Sequence, residues 1–171
     1  MKKRSPEAAE IFCQGANFLA AAEALHRTAN YGPLYITCTV NAAFAAEILL
    51  KACLHRELGL LVREHKLETL FGMLSTDTQS SVLRLVSARQ DCTESECRVM
   101  LAADSKTFEL WRYHYEYDAL GTRPAFLINF ARSIEAYLIE EDPEWIKLVP
   151  YRLEGPHAAS NPYVLPYRRE G

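Results

Sequence analysis

The chain contains no CxxC pair, no P-loop, no GxGxxG and no HExxH. Each of those motifs places ligands or backbone amides at a fixed spacing, so their absence removes the zinc-ribbon, nucleotide-triphosphatase, dinucleotide-binding and zincin readings. No Ser–His–Asp or Cys–His arrangement can be argued from spacing either. Neither a cofactor nor a metal is expected. An excess of one charge is missing too: 19 Lys and Arg stand against 22 Asp and Glu, a net charge of -3. That balance gives no whole-molecule pull toward nucleic acid or an anionic membrane and leaves only a local basic patch to serve such a role. Uninterrupted apolar runs long enough for a membrane span are absent. The opening MKKR resembles a signal-peptide n-region, but Glu7, Glu10, Gln14 and Asn17 interrupt the apolar h-region that a signal peptide needs. The five cysteines are odd in number and form no framework, so they read as reduced core thiols in a cytoplasmic protein. Segments with the alternating pattern of strands, internal repeats and low-complexity tracts are also missing.

What is present is enough apolar material for a core. At 171 residues and 49% hydrophobic, the chain is expected to form one domain without disulfide staples. The stretch from Leu34 to Leu54, LYITCTVNAAFAAEILLKACL, is apolar on nearly every side, as a buried central helix is. Glu47 falls in the middle of its main apolar stripe, and Lys51 comes at i+4, the favourable order for a pair.

Ser5-Pro6-Glu7 reads as a helix start, and helical spacing of Ile11, Gly15, Phe18, Ala22 and Leu25 carries the helix to about Arg27. The central helix is predicted from Pro33 to about Leu58, broken by Gly59. A short helix should cover His65 to Phe71, another about Thr78 to Arg89, and Thr93 and Glu96 can cap a further one. The stretch from Phe108 to Asp118 is expected to continue as helix, which would put Phe108, Trp111, Arg112 and Tyr115 on one face with Glu116 four residues beyond Arg112. Pro124 opens a last helix to about Ile139. Beyond Asp142, where five of the eight prolines lie, an extended Pro/Tyr-rich tail is expected. The predicted architecture is all-α: an up-and-down bundle of about five to six helices over 1–141, followed by a tail over 142–171.

Three pieces stand in order: NAAFAAEILLKACL, EHKLETLF and FELWRYHYE. With the helix after them they resemble the HEPN-like helical proteins of prokaryotes, over roughly Tyr31 to Ile139. The piece around Glu47 and Lys51 is similar to that family's central helix. His65 and Leu67 are similar to its H-x-L helix start. Phe108, Trp111, Arg112, Tyr113, Tyr115 and Glu116 are similar to the F-x-x-W-R-Y-x-Y-E signature of one branch. The resemblance implies a bundle that usually dimerises, often a metal-independent ribonuclease of a toxin–antitoxin or phage-defence system, paired in some cases with an antitoxin. Such nucleases carry Arg, four to six residues, then His on one helix. Here His114 stands two residues after Arg112, which on an α-helix separates the side chains by about 200°. Arg152 and His157 have the spacing, but Gly155-Pro156 interrupts it.

The candidate residues each have a functional and a structural reading. Arg112 can bind a phosphate bidentately, or pair with Glu116 or Glu47 while stacking on Trp111. Glu47 and Lys51 can act as base and anion anchor, or as a satisfied polar pair. His65 can transfer protons or order its turn, and His114 can contact nucleic acid from an exposed position. Tyr113, Tyr115 and Tyr117 can stack on bases or fill the core. The leading expectation is a homodimeric accessory or interaction protein associated with RNA or a nucleotide, with no intact nuclease motif. The alternatives are a ribonuclease using Arg112 with His114 or His65, and a structural protein–protein module.

Overall fold

The computed structural model describes residues 6–28, 32, 34–116 and 121–149. The chain is all-α. Seven α-helices occur among the described residues: α1 Pro6–Arg27, α2 Tyr35–Leu58, α3 Leu67–Gly72, α4 Thr76–Gln90, α5 Glu94–Ala103, α6 Thr107–Trp111 and α7 Pro124–Glu141. Two 3-10 helices, His114–Glu116 and Pro143–Leu148, complete the set, and no strand occurs among these residues. The count slightly exceeds the five to six expected, and two of the seven, α3 and α6, are only six and five residues long.

α2 is the axis. It packs against α1, α3, α6 and α7, while α4 lies on α7 and α5. Ala45 to Leu50 are buried without a break, so this helix has no solvent face over that span. Its most apolar 18-residue window has a mean hydropathy of 1.4, apolar and long enough to cross a membrane, and 67% of that window is buried by the neighbouring helices. Gly59 ends α2 at φ 70°, a left-handed conformation that favours glycine, and its N–H bonds to the His55 carbonyl.

α1 approaches α2 closely because Gly15 faces it. A Cβ at Gly15 would lie 2.8 Å from Leu49 Cγ and 3.3 Å from Ile48 Cγ2. Leu49 is fully buried, so its branch point has nowhere to retreat. Gly15→Ala gains about 1 kcal/mol of helix propensity. The overpacking it causes costs about 1–3 kcal/mol and should win, because the contact is with a branch carbon rather than a flexible chain end. A lower urea midpoint than wild type is expected; a higher one would show that the two helices can separate freely.

Local caps set the other boundaries. The Ser75 side chain accepts from Thr78 N–H at the start of α4, and Thr93 and Glu96 form a reciprocal capping box at the start of α5. The Glu57 carboxylate of α2 accepts from both the backbone and the hydroxyl of Ser75 and from the Thr78 hydroxyl, which also meets the Tyr137 hydroxyl at 2.8 Å. That network ties α2, α4 and α7 at one end of the bundle.

The expected extended tail from Asp142 is corrected over its first residues. Pro143–Leu148 is a 3-10 helix capped by the Asp142 side chain, which accepts from Glu144 N–H. Trp145 is 1% exposed and meets Phe12 edge-on at 4.6 Å. An Asp cap with Pro at the first position is itself a helix start, and the buried indole anchors it. The folded unit therefore continues past residue 141 to at least Val149, which is also buried. The remainder of the tail, with Arg152 and His157, lies outside the described residues.

Candidate functional site

Two groups of side chains share one face of α2. The first is built on Glu47. Its side chain is 2% exposed, and Oε1 accepts from Lys51 Nζ at 2.8 Å, one turn further along the helix. His65 comes from the irregular segment between α2 and α3, and its Nδ1 stands 2.9 Å from the same oxygen. A carboxylate only accepts, so Nδ1 carries the proton in this contact. The Nε2 edge has no hydrogen-bond partner among the described residues, on a side chain 49% exposed.

The segment carrying His65 is held from two sides. Glu64 accepts from the backbone N–H groups of His65 and Lys66, and these bonds hold its carboxyl below the usual range. Further on, the N–H groups of Leu67 and Glu68 donate to the carbonyl and hydroxyl of Ser105. The turn between α5 and α6 thus fixes where α3 starts and where His65 sits. Glu47 Oε2 is buried with no hydrogen-bond partner among the described residues. Sequence reasoning placed Glu47 with Lys51; the structure adds His65 to them.

The second group is a ladder of rings. Phe18 of α1 meets Phe44 of α2 edge-on at 4.6 Å, and Phe44 stacks on Phe108 of α6 at 4.4 Å with the planes 8° apart. The Arg112 guanidinium carbon lies over Phe108 at 4.4 Å and over Tyr113 at 5.4 Å. Two groups so close to one ring cannot share a face, so Arg112 takes the face that Phe44 leaves open. Phe44 precedes Glu47 by three residues and lies on the same side of α2. The ladder and the Glu47 group are therefore neighbours along that helix.

The predicted continuous aromatic helix is not what forms. α6 stops at Trp111, which is buried and meets Tyr35 edge-on at 5.6 Å. The chain then tightens into i→i+3 bonds, Tyr113 N–H to Leu110 and Glu116 N–H to Tyr113, and continues as the 3-10 helix His114–Glu116. Arg112, Tyr113, Tyr115 and Glu116 are all exposed. A helix gains its stability from burying one face, and the side chains described from Arg112 to Glu116 are exposed. Arg112 therefore shares no α-helical face with Tyr115. It makes no ion pair with Glu116 or Glu47 among the described residues, and its stacking partners are Phe108 and Tyr113 rather than Trp111. Tyr113 is 45% exposed, Tyr115 is 72% exposed, and the two rings meet edge-on at 6.4 Å. For His114 only the backbone is described, and Tyr117 lies outside the described residues.

A second buried carboxylate escaped sequence reasoning as a partner. Asp104 accepts from the Thr122 hydroxyl at 3.0 Å and faces Arg123 Nη1 at 3.6 Å. Burial raises its carboxyl above the usual range, against the opposing pull of Thr122 and Arg123. This contact docks the approach to α7 onto the turn that also holds α3. Among the described residues no three His, Cys, Asp or Glu side chains converge as metal ligands.

In chemical terms, the Glu47 group is a carboxylate that orders a lysine and a histidine. The ring ladder presents a cation between Phe108 and the exposed Tyr113, with no hydrogen-bond acceptor for it among the described residues. No protein-family model matches the chain, and no match is found among curated proteins or solved structures.

Proposed function

We propose that the chain is a HEPN-like cytoplasmic protein of a stress or defence system, and that its Arg112–Tyr113–Tyr115 surface binds single-stranded RNA or a nucleotide without cleaving it. The observation that carries this reading is the state of Arg112. It is exposed, pinned at 4.4 Å on Phe108, and paired with no carboxylate among the described residues. A guanidinium held in place keeps its planar fork for a phosphate and loses less freedom on binding. Exposed tyrosines beside it offer faces for bases, worth about 1–3 kcal/mol per stacked base. In this reading the protein works as a homodimer, whose mass light scattering measures directly, and an antitoxin-like protein is the kind of partner it would take.

The test is fluorescence anisotropy of a labelled single-stranded RNA. Arg112→Ala should weaken binding about tenfold, equivalent to roughly 1.4 kcal/mol. Tyr113→Ala should weaken it by a similar factor, and added salt should weaken the wild type. Unchanged affinity in both variants would refute the assignment of this surface.

A second reading, a metal-independent ribonuclease, is favoured by one observation: Glu47 orders His65 through Nδ1 at 2.9 Å and leaves Nε2 open. A histidine oriented by a carboxylate is the arrangement a general base requires. Against it, His65 is one of two groups converging on a buried carboxylate, where an ordering role is sufficient. We expect no cleavage of a structured RNA above background in the absence of metal. Cleavage by wild type that is lost in both His65→Ala and Arg112→Ala would establish the nuclease instead.

A further inference from the structure

The five cysteines are unbridged, and two of them meet. Cys92 Sγ lies 3.1 Å from Cys97 Sγ. The backbone builds this approach from both sides. Asp91 ends α4 in the left-handed region at φ 51°, and Cys92 N–H still bonds to the Ser87 carbonyl. The Thr93–Glu96 capping box then starts α5 immediately, which fixes Cys97 in the first turns of that helix. Ser87 Oγ stands 3.6 Å from Cys97 Sγ on the remaining side.

The two sulfurs differ in access. Cys97 is 1% exposed, whereas Cys92 is half-buried and lines an open cleft of about 400 Å³ with Gln90, Glu96, Val99 and Met100. The other three cysteines sit elsewhere in the bundle. Cys13 and Cys38 face the carbonyls of Leu148 and Ala22, and Cys53 is buried in α2.

We propose that Cys92 and Cys97 form a modification site: a dithiol that a hydroperoxide, entering by the cleft, closes to an intramolecular disulfide across the α4–α5 turn. The hydroperoxide transfers its distal oxygen to the Cys92 sulfur, giving a sulfenic acid and releasing the alcohol, or water from hydrogen peroxide. The Cys97 sulfur then attacks the sulfenic sulfur. The S–S bond forms, the sulfenic hydroxyl leaves, and it takes the Cys97 proton away as water. Both sulfurs are oxidised by one electron each, and the peroxide O–O bond accepts the pair. Reaching a bond of roughly 2.05 Å needs about 1 Å of closure, within the reach of side-chain rotation at a turn. Burial and the neighbouring Cys97 push the Cys92 thiol up to about 11. Since the thiolate is the attacking form, closure should be slow at neutral pH and quicken roughly tenfold per pH unit toward that value.

The experiment treats the reduced full chain with tert-butyl hydroperoxide at pH 9, alkylates under denaturing conditions, and maps the peptides by mass. A peptide linking Cys92 to Cys97 is expected, short of two alkyl groups and reopened by dithiothreitol, while Cys13, Cys38 and Cys53 remain alkylated. Cys97→Ser should leave a sulfenic acid on Cys92 that dimedone traps, and Cys92→Ser, altered at the cleft side, should prevent any link. Full alkylation of both thiols in wild type would overturn the proposal. So would a link to another cysteine or between chains, or conversion of Cys92 to sulfinic acid without a bond to Cys97.

Discussion

Trp145→Ala is expected to destabilise the protein by about 3–5 kcal/mol, the range for emptying a buried aromatic site. The indole is 1% exposed and is the largest of the fully buried side chains among the described residues. It meets Phe12 of α1 edge-on, and its 3-10 helix packs on both α1 and α7. The cavity left by alanine would sit between three elements that also hold one another, so collapse can recover little of the loss. Truncation after Asp142 should cost at least as much, because it also removes Val149 from the core. Urea denaturation of Trp145→Ala gives the answer. A midpoint equal to wild type would mean that residues 143–149 do not belong to the folded unit.

The second large effect is expected from Lys51→Met. Glu47 is 2% exposed in its side chain, and Lys51 is the cation one turn away at 2.8 Å. Methionine fills a similar volume but leaves the carboxylate with His65 alone. Breaking a buried pair from one side costs about 3–5 kcal/mol, because the remaining charge is left uncompensated. The lower end applies here, since Lys51 is 19% exposed and His65 still reaches the same oxygen. A loss of about 3 kcal/mol corresponds to a melting temperature roughly 6–12 °C lower for a chain of this size. Glu47→Gln should cost less, because the amide keeps a hydrogen-bonding oxygen and Lys51 can reach solvent along its stem. Thermal melts of both variants test the ordering. If Glu47→Gln proves the more damaging, the carboxylate's charge matters beyond its partner in α2.

These effects separate local from long-range information in the sequence. The capped starts of α4 and α5 are set by residues within one turn of each other, so they can be read locally. The same holds for Glu47 and Lys51 at i and i+4. His65 is different. It reaches Glu47 across 18 residues, by way of a segment whose placement depends on hydrogen bonds to Ser105. No spacing rule encodes that. The aromatic stretch misled for a different reason. Periodicity from Phe108 to Tyr115 fits a helix, and no glycine or proline marks an end, yet Trp111 is buried while Arg112, Tyr113, Tyr115 and Glu116 are exposed. Trp145 was hidden by its company, a stretch rich in proline, tyrosine and charge. The Cys92–Cys97 approach depends on the left-handed residue Asp91, which spacing does not announce.

We propose that Phe108 holds Arg112 for a ligand rather than for the fold. Arg112→Lys measured beside Arg112→Ala addresses it most directly, each variant being melted and then titrated with labelled single-stranded RNA in one buffer. Lysine keeps the charge but loses the planar fork and its stacking on the ring. Near-wild-type melting is expected for both, with about tenfold weaker binding for alanine and only partial recovery for lysine. Wild-type affinity together with a clearly lowered melting temperature in Arg112→Ala would contradict it, because the arginine would then serve the bundle and not the RNA.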